Sequence, residues 1–184
     1  MSMRGCLPSR EEALRILRSV GCPPEVIRHC EEVASLALRI ARACVEKGLE
    51  VDLELVEIGA LLHDIGRSRT HGIAHVFLGA EMAMEMGLDD ALVRIILTHT
   101  GGLGPGVAEE LGWPPGTYEP TSMEEKIVAY ADKLVEGGRV LSFEEALGKL
   151  VRDLGPGHPA VEKLKAIHEE LSRLLGEGFA HNRP

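Results

Sequence analysis

His63 and Asp64 sit side by side at the end of an apolar run, A60-LLHDIGR-R67, where an imidazole nitrogen and a carboxylate oxygen are offered at one point. Hard and borderline divalent cations take both ligand types. The dipeptide carries little weight unless other ligands converge on it. His29, His75, His99 and Asp132 are the residues that could do so.

The positions of these residues on their expected helices give the pairing meaning. His29 follows Val26 by three and precedes Val33 by four, so it lies on an apolar stripe. His63 stands one turn after Gly59 and two after Val56, and His99 stands likewise after Ile95 and Leu92. Asp132 follows Val128 by four and precedes Val135 by three. Ionisable groups on the buried faces of four helices are costly unless paired or metal-bound. Each has an ordinary reading: a hydrogen-bonded core histidine, or for Asp132 beside Lys133 a surface ion pair. Independent structural uses would not be expected to put one inward polar group on each helix, and a shared metal accounts for all four.

The elements that must position these groups read as helices. Ser9 with Glu12, Ser122 with Glu125 and Ser142 with Glu145 are capping-box patterns ahead of apolar periodicity. Helices are expected from Ala13 to Val20 with a stop at Gly21, from about Glu25 to Lys47 with a stop at Gly48, and from about Asp52 to Asp64, ended at Ile65-Gly66 by a glycine stop. Further helices are expected from His75 or Val76 to Met86, Asp89 to about Thr98, Ser122 to about Glu136, Ser142 toward Leu154, and Pro159 to about Leu175. Residues 101–122, rich in Gly and Pro, read as an irregular excursion with a short helix near Val107–Leu111, either a flexible connection or a lid. The segment 176–184 reads as a loose tail, and no strand is expected. The fold class is all-α, in one domain over residues 1–184; the resemblance given below implies a catalytic core at about 25–140, with C-terminal helices at about 142–175 packed on it.

Bulk properties narrow the function classes. A chain of 184 residues, 45% apolar and 27% charged, is globular and large enough for a real core. No apolar run reaches the roughly 18 residues of a membrane span, and the first residues lack a signal-peptide pattern, so a cytoplasmic location is expected. Cys6, Cys22, Cys30 and Cys44 form no C-x-x-C pair and read as small buried groups in a reducing compartment. The net charge of −9 argues against a sequence-blind nucleic-acid binder, but not against a small phosphorylated substrate, for which a metal supplies local positive charge. The absence of Gln and the single Asn, Asn182, match a bias of heat-adapted proteins.

With His29, the His63-Asp64 doublet in L61-LHDIGR and Asp132 in Y130-ADKLVEGGR-R139, the chain resembles the HD superfamily of metal-dependent phosphohydrolases. The resemblance implies an HD-type helical bundle of roughly seven to nine helices in which these four side chains hold one or two divalent ions. H75-VFLGAE-E81 and H99-TGG-G102 are similar to segments carrying two further ligands in six-ligand, dinuclear members. His75 and His99 would then complete a second metal position, with Asp64 bridging. His71 is the rival of His75, which alone fits the Gly-Ala-Glu spacing. The order is similar to bacterial HD proteins that split diadenosine tetraphosphate. The cyclic-di-GMP branch shares that order, but G101-GLGPG-G106 stands where its Gly-Tyr-Pro signature would be.

What the resemblance implies is hydrolysis at phosphorus of a small nucleotide or dinucleotide, by water activated on iron, manganese, nickel, cobalt or zinc. Asp64, Arg67 and Lys133 are the expected catalytic residues, and Arg67, Thr100, Lys133 and Arg139 the expected phosphate contacts. Each of the cations has an ordinary reading as a surface charge. Two alternatives keep the ligands: a di-iron oxygenase, and a non-catalytic nucleotide-binding regulatory module. A homodimer through the terminal helices is expected as a partner arrangement. His158, His168 and His181 fall outside the matched span, and His168 reads as a solvated helix residue.

Overall fold

The computed structural model describes residues 7–104, 106–114 and 118–180. Among them the helices are α1 (Arg10–Ser19), α2 (Pro24–Glu46), α3 (Leu53–Leu62), α4 (His75–Glu85), α5 (Asp90–Thr98), α6 (Val107–Glu110), α7 (Met123–Leu134), α8 (Phe143–Leu154) and α9 (Pro159–Leu175). A 3-10 turn, Ile65–Ser68, joins α3 to the segment before α4. No described helix is long and apolar enough to cross a membrane.

The centre of the bundle is α3. Val56, Ile58, Gly59, Ala60, Leu61 and Leu62 are all buried, so the second half of the helix is apolar on every side, and its two acids, Glu54 and Glu57, stand in the first half. It packs against α2 on one side and against α5 and α7 on others. Gly59 permits this closeness to α5, since a Cβ there would sit 2.5 Å from Ile95 Cδ1. The apolar stripe of α2, Val26, Cys30, Val33, Ala37, Ile40 and Cys44, is buried as its spacing requires. The C-terminal α9 lies against α2, α7 and α8.

Local chemistry sets the helix ends. Ser9 and Glu12 form a complete capping box, with Glu12 N donating to Ser9 Oγ (3.3 Å) and Ser9 N to Glu12 Oε2 (2.8 Å). Ser142 and Glu145 repeat it. Ser122 caps α7 through the Glu125 amide (3.1 Å), but that box is only half formed. The Glu125 carboxylate is drawn instead to Arg94 (3.2 Å) and the Thr121 amide (3.1 Å).

Four expectations are corrected. The chain does form strands: Val135–Glu136 (β1) and Arg139–Val140 (β2) make a small antiparallel hairpin with Val135 opposite Val140. It cuts α7 short at Leu134, because Gly137 and Gly138 both take positive φ and turn the chain back. Gly66 does not end α3 as a left-handed stop, and the role of Gly66 is steric: a Cβ there would overlap the His75 carbonyl oxygen and approach Gly79 N to 2.7 Å. The described part of the tail is docked, with Phe179 and Ala180 buried and Arg39 donating to the Ala180 carbonyl (3.1 Å). His168 is no solvated residue: its ring stacks on Phe143 at 3.6 Å and its Nδ1 accepts from Tyr130 OH at 2.7 Å. Cys22, Cys30 and Cys44 are buried free thiols, whereas Cys6 and His181 lie outside the described residues.

Candidate metal centre

The doublet His63-Asp64 occupies the turn between α3 and the 3-10 turn, with His63 fully buried and Asp64 nearly so. His29 comes from α2, His75 from the first residue of α4, His99 from the C-cap of α5 and Asp132 from α7. The Gly66 contact with α4 is what brings His75 next to the doublet.

The six side chains meet in two overlapping groups. Asp132 Oδ1 lies 3.0 Å from His29 Nε2 and 3.3 Å from His63 Nε2. Asp64 Oδ1 lies 3.1 Å from His75 Nε2 and 3.5 Å from His99 Nε2. Asp64 Oδ2 is 3.6 Å from His63 Nε2, so Asp64 and His63 link the two groups. His71 does not join them. It is exposed at the rim, and its carbonyl accepts from Arg67 (3.1 Å).

The histidine tautomers follow from the hydrogen bonds. Nδ1 of His63, His75 and His99 faces the carbonyl oxygens of Ala60 (2.7 Å), Gly72 (2.8 Å) and Ile96 (2.7 Å), each three residues earlier. A carbonyl only accepts, so each Nδ1 carries a proton, and in the neutral ring the Nε2 lone pair points into the site. The Nε2 atoms of His75 and His99 are 3.1 Å apart. Two facing lone pairs repel, unless a proton or a cation lies between them. His63 Nε2 and Asp64 Oδ1 are buried with no hydrogen-bond partner. This donor set, imidazole nitrogens and carboxylate oxygens with unsatisfied buried atoms, fits a divalent cation.

Charge is arranged to keep both carboxylates ionised. Burial works against the Asp132 carboxylate, but the Lys133 ammonium and bonds from His29 and His63 outweigh it and hold the group well below the usual range. Burial likewise opposes ionisation of Asp64; the charge of a protonated His63 and Nε2–H bonds from His75 and His99 outweigh it, protons that a bound cation would displace. Burial pushes His99 down to about 4, so that ring is neutral and free to ligate at ordinary pH.

Arg67 and Lys133 occupy equivalent places. Arg67 Nε donates to Asp64 Oδ2 (2.7 Å) and Lys133 Nζ to Asp132 Oδ2 (2.6 Å), so each cation holds one carboxylate oxygen while Oδ1 faces the histidines. Both also line a cavity of about 620 Å3 that opens from His29, Asp64, His75 and Asp132. Thr100 lines it too, and its Oγ1 is buried without a partner. Arg139 is not brought to the site. It lies on the hairpin, exposed, and pairs with Glu145 (3.3 Å), because the turn at Gly137-Gly138 directs β2 away from the cavity.

Sequence reasoning missed three polar residues of this cavity, Lys149 and Asp153 on α8 and His158 at the N-cap of α9. A signal for the two on α8 was present. Ala146, Lys149, Leu150, Asp153 and Leu154 recur at three and four, giving α8 one face along the cavity, of which Ala146 and Leu150 also pack on the core. Within the excursion 101–122, Trp113 stacks on Phe77 at 4.3 Å and Tyr118 lies edge-on to the same ring at 5.5 Å.

Comparison with known proteins agrees with this geometry. The HD domain family model matches residues 26–136. An uncharacterized protein of Methanocaldococcus jannaschii is 44% identical over 166 residues, 90% of this chain and 98% of that protein. The tRNA (cytidine(56)-2'-O)-methyltransferase of Picrophilus torridus is 40% identical over 172 residues, and the chain spans 48% of its length. Among solved structures, the HD domain of L. monocytogenes phosphodiesterase PgpH, in complex with cyclic-di-AMP, superimposes with a TM-score of 0.54. That likeness covers 94% of this chain and 99% of the other at 20% identity, and it is a likeness of fold.

Proposed function

Because the chain belongs to the HD-domain family, we propose that it is a metal-dependent phosphohydrolase or phosphodiesterase acting on a small nucleotide or dinucleotide. The observation that carries this reading is the convergence of imidazole Nε2 atoms and carboxylate Oδ1 atoms at the floor of an open cavity. His29, His63 and Asp132 would hold one cation, and Asp64, His75 and His99 a second. Bound there, divalent cations lower the pKa of water toward neutrality and neutralise charge on phosphoryl oxygens.

The protein's own groups do the rest. The Ala60, Gly72 and Ile96 carbonyls fix the orientation of three imidazoles before any ligand arrives. Arg67 and Lys133 orient Asp64 and Asp132, and both line the cavity where a phosphate would bind. Thr100 Oγ1, buried and unpartnered, is a further hydroxyl for a phosphate oxygen. The names of the solved neighbour, a phosphodiesterase bound to a cyclic dinucleotide, and of an RNA-modifying relative put phosphodiesters alongside nucleoside phosphates as substrates to try.

The test is hydrolysis by the Mn2+-loaded protein of a panel containing nucleoside monophosphates, dinucleoside polyphosphates, cyclic dinucleotides and short RNA. Turnover of at least one, lost in Asp64→Asn, is expected. Turnover that survives Asp64→Asn, or oxygen uptake with no phosphate ester cleaved, would overturn the reading.

A further inference from the structure

His99 and Thr100 lead directly into a glycine-rich stretch that lies on the start of α9. Gly101 and Gly102 take positive φ and turn the chain off the end of α5. A Cβ on Gly101 would stand 3.6 Å from Ala160 Cα, one on Gly102 3.4 Å from Pro159 Cβ, and one on Gly104 3.4 Å from His158 Nε2. The segment that follows His99 therefore rests on residues 158–160. His158 lines the same cavity as Asp64, His75 and Asp132, yet it stands beyond residues 26–136, the span that matches the family.

The His158 ring is held in one orientation. Its carbonyl oxygen accepts from Val161 N (2.9 Å) and its Nδ1 from Ala160 N (3.2 Å), so backbone and ring together cap a 17-residue helix. An amide N–H only donates, so Nδ1 uses its lone pair, and in the neutral ring the proton stands on Nε2. Among the described residues Nε2 has no hydrogen-bond partner, and it borders the cavity. This is the opposite tautomer to that of His63, His75 and His99, whose Nδ1 atoms face carbonyls. Those three rings present a lone pair; His158 presents an N–H.

Other polar groups on the cavity wall are engaged or unsuited to donate there. Arg67 and Lys133 hold the Asp64 and Asp132 carboxylates, and Lys149 pairs with Glu136. Asp153, when ionised, only accepts, and among the described residues no hydrogen bond fixes the exposed His71 ring. Cleavage of a phosphate ester puts negative charge on the departing oxygen. A fixed donor aimed at that oxygen is strongest in the transition state, so it raises kcat.

We propose that His158 is a catalytic residue whose Nε2–H donates a hydrogen bond to the departing oxygen of the phosphate ester. In that step the oxygen of water bonds to phosphorus, and the ester P–O bond breaks with its electron pair going to the departing oxygen. His158 keeps its proton, and solvent supplies the one that makes the alcohol. This rests on the phosphohydrolase reading and deepens it by assigning the group that serves the leaving side.

The test measures kcat and KM of the Mn2+-loaded wild type, His158→Ser and His158→Gln on two pairs of esters. One pair is methyl 4-nitrophenyl phosphate with methyl phenyl phosphate, the other 4-nitrophenyl phosphate with phenyl phosphate. Within each pair only the leaving group differs; nitrophenolate departs readily and phenolate needs help. Serine caps a helix but has no donor of the same reach, so His158→Ser separates the cap from the chemistry. It is expected to lower kcat on the phenyl ester about 100-fold and on the nitrophenyl ester less than about tenfold, with KM and Tm unchanged. His158→Gln, whose amide donates without ionising, should recover most of that loss. Equal fractional losses on the two leaving groups, a loss that tracks a fall in Tm, or full activity of His158→Ser on every ester the wild type cleaves would overturn the role of His158 and leave the hydrolase reading standing. Absence of turnover of every ester by the wild type would sink the hydrolase reading, and the role of His158 with it.

Discussion

His75 and His99 approach each other through Nε2 atoms 3.1 Å apart, with both Nδ1 protons already committed to backbone carbonyls. Each ring therefore brings a lone pair to the same point. The arrangement is unfavourable in an empty protein and favourable around a cation, so metal binding should stabilise the fold. At free Mn2+ about 100-fold above its dissociation constant the gain is about 2.7 kcal/mol. For a domain of this size that raises Tm by about 5–10 °C. Thermal melts with and without chelator measure it, and superimposable curves would remove the argument.

Arg67 and Lys133 should matter through the carboxylates they hold. Arg67→Ala and Lys133→Ala are expected to weaken metal affinity or activity by about 10–100-fold, the usual effect of losing a group that orients a ligand. Arg139→Ala, on the exposed hairpin, should change neither. Metal titration of the three variants decides; a loss in Arg139→Ala as large as in the other two would contradict the geometry.

Gly66→Ala should be severe. Its Cβ would overlap the His75 carbonyl oxygen and lie 2.7 Å from Gly79 N, both backbone atoms that cannot swing aside. Destabilisation of about 3 kcal/mol is expected from such overpacking, with His75 displaced from Asp64. Urea unfolding reads the first effect and metal stoichiometry the second. A variant with wild-type stability and full metal loading would show that α4 can move freely.

The sequence made the chemistry legible and left the cavity dark. His29, His63, His99 and Asp132 were readable because each stands on an apolar helical stripe where an unpaired polar group is expensive. His75 was chosen over His71 by its spacing to Gly79-Ala80-Glu81, and the structure places it 3.1 Å from Asp64. Arg139 was misplaced because nothing local announced that Gly137-Gly138 would end the helix as a hairpin. His168 was read as a solvated helix residue and Lys149 was not singled out, because their environment is set by Phe143, Tyr130 and the cavity, which are long-range consequences of packing. The glycine at 66 looked like a helix stop, and its need is a contact with a helix nine residues on.

The buried cysteines give a pH dependence. Burial pushes the Cys22 and Cys44 thiols up to about 11, against an unfolded value of about 8.5. Their pKa is raised on folding, so the stability they contribute is fully present below about pH 8.5 and is lost as pH rises through about 11. Urea midpoints should fall between pH 8.5 and 11, and by less in a Cys22→Ala/Cys44→Ala variant. At pH 8 only about one such thiol in a thousand is ionised, so alkylation of the folded protein should be slow. Labelling as fast as that of a free cysteine would contradict the burial.

Crystals grown with Mn2+ and measured for anomalous scattering test the central claim most directly. Two peaks are predicted, one against His29, His63 and Asp132, the other against Asp64, His75 and His99. A map with these six side chains in place and no peak at either position would contradict the account.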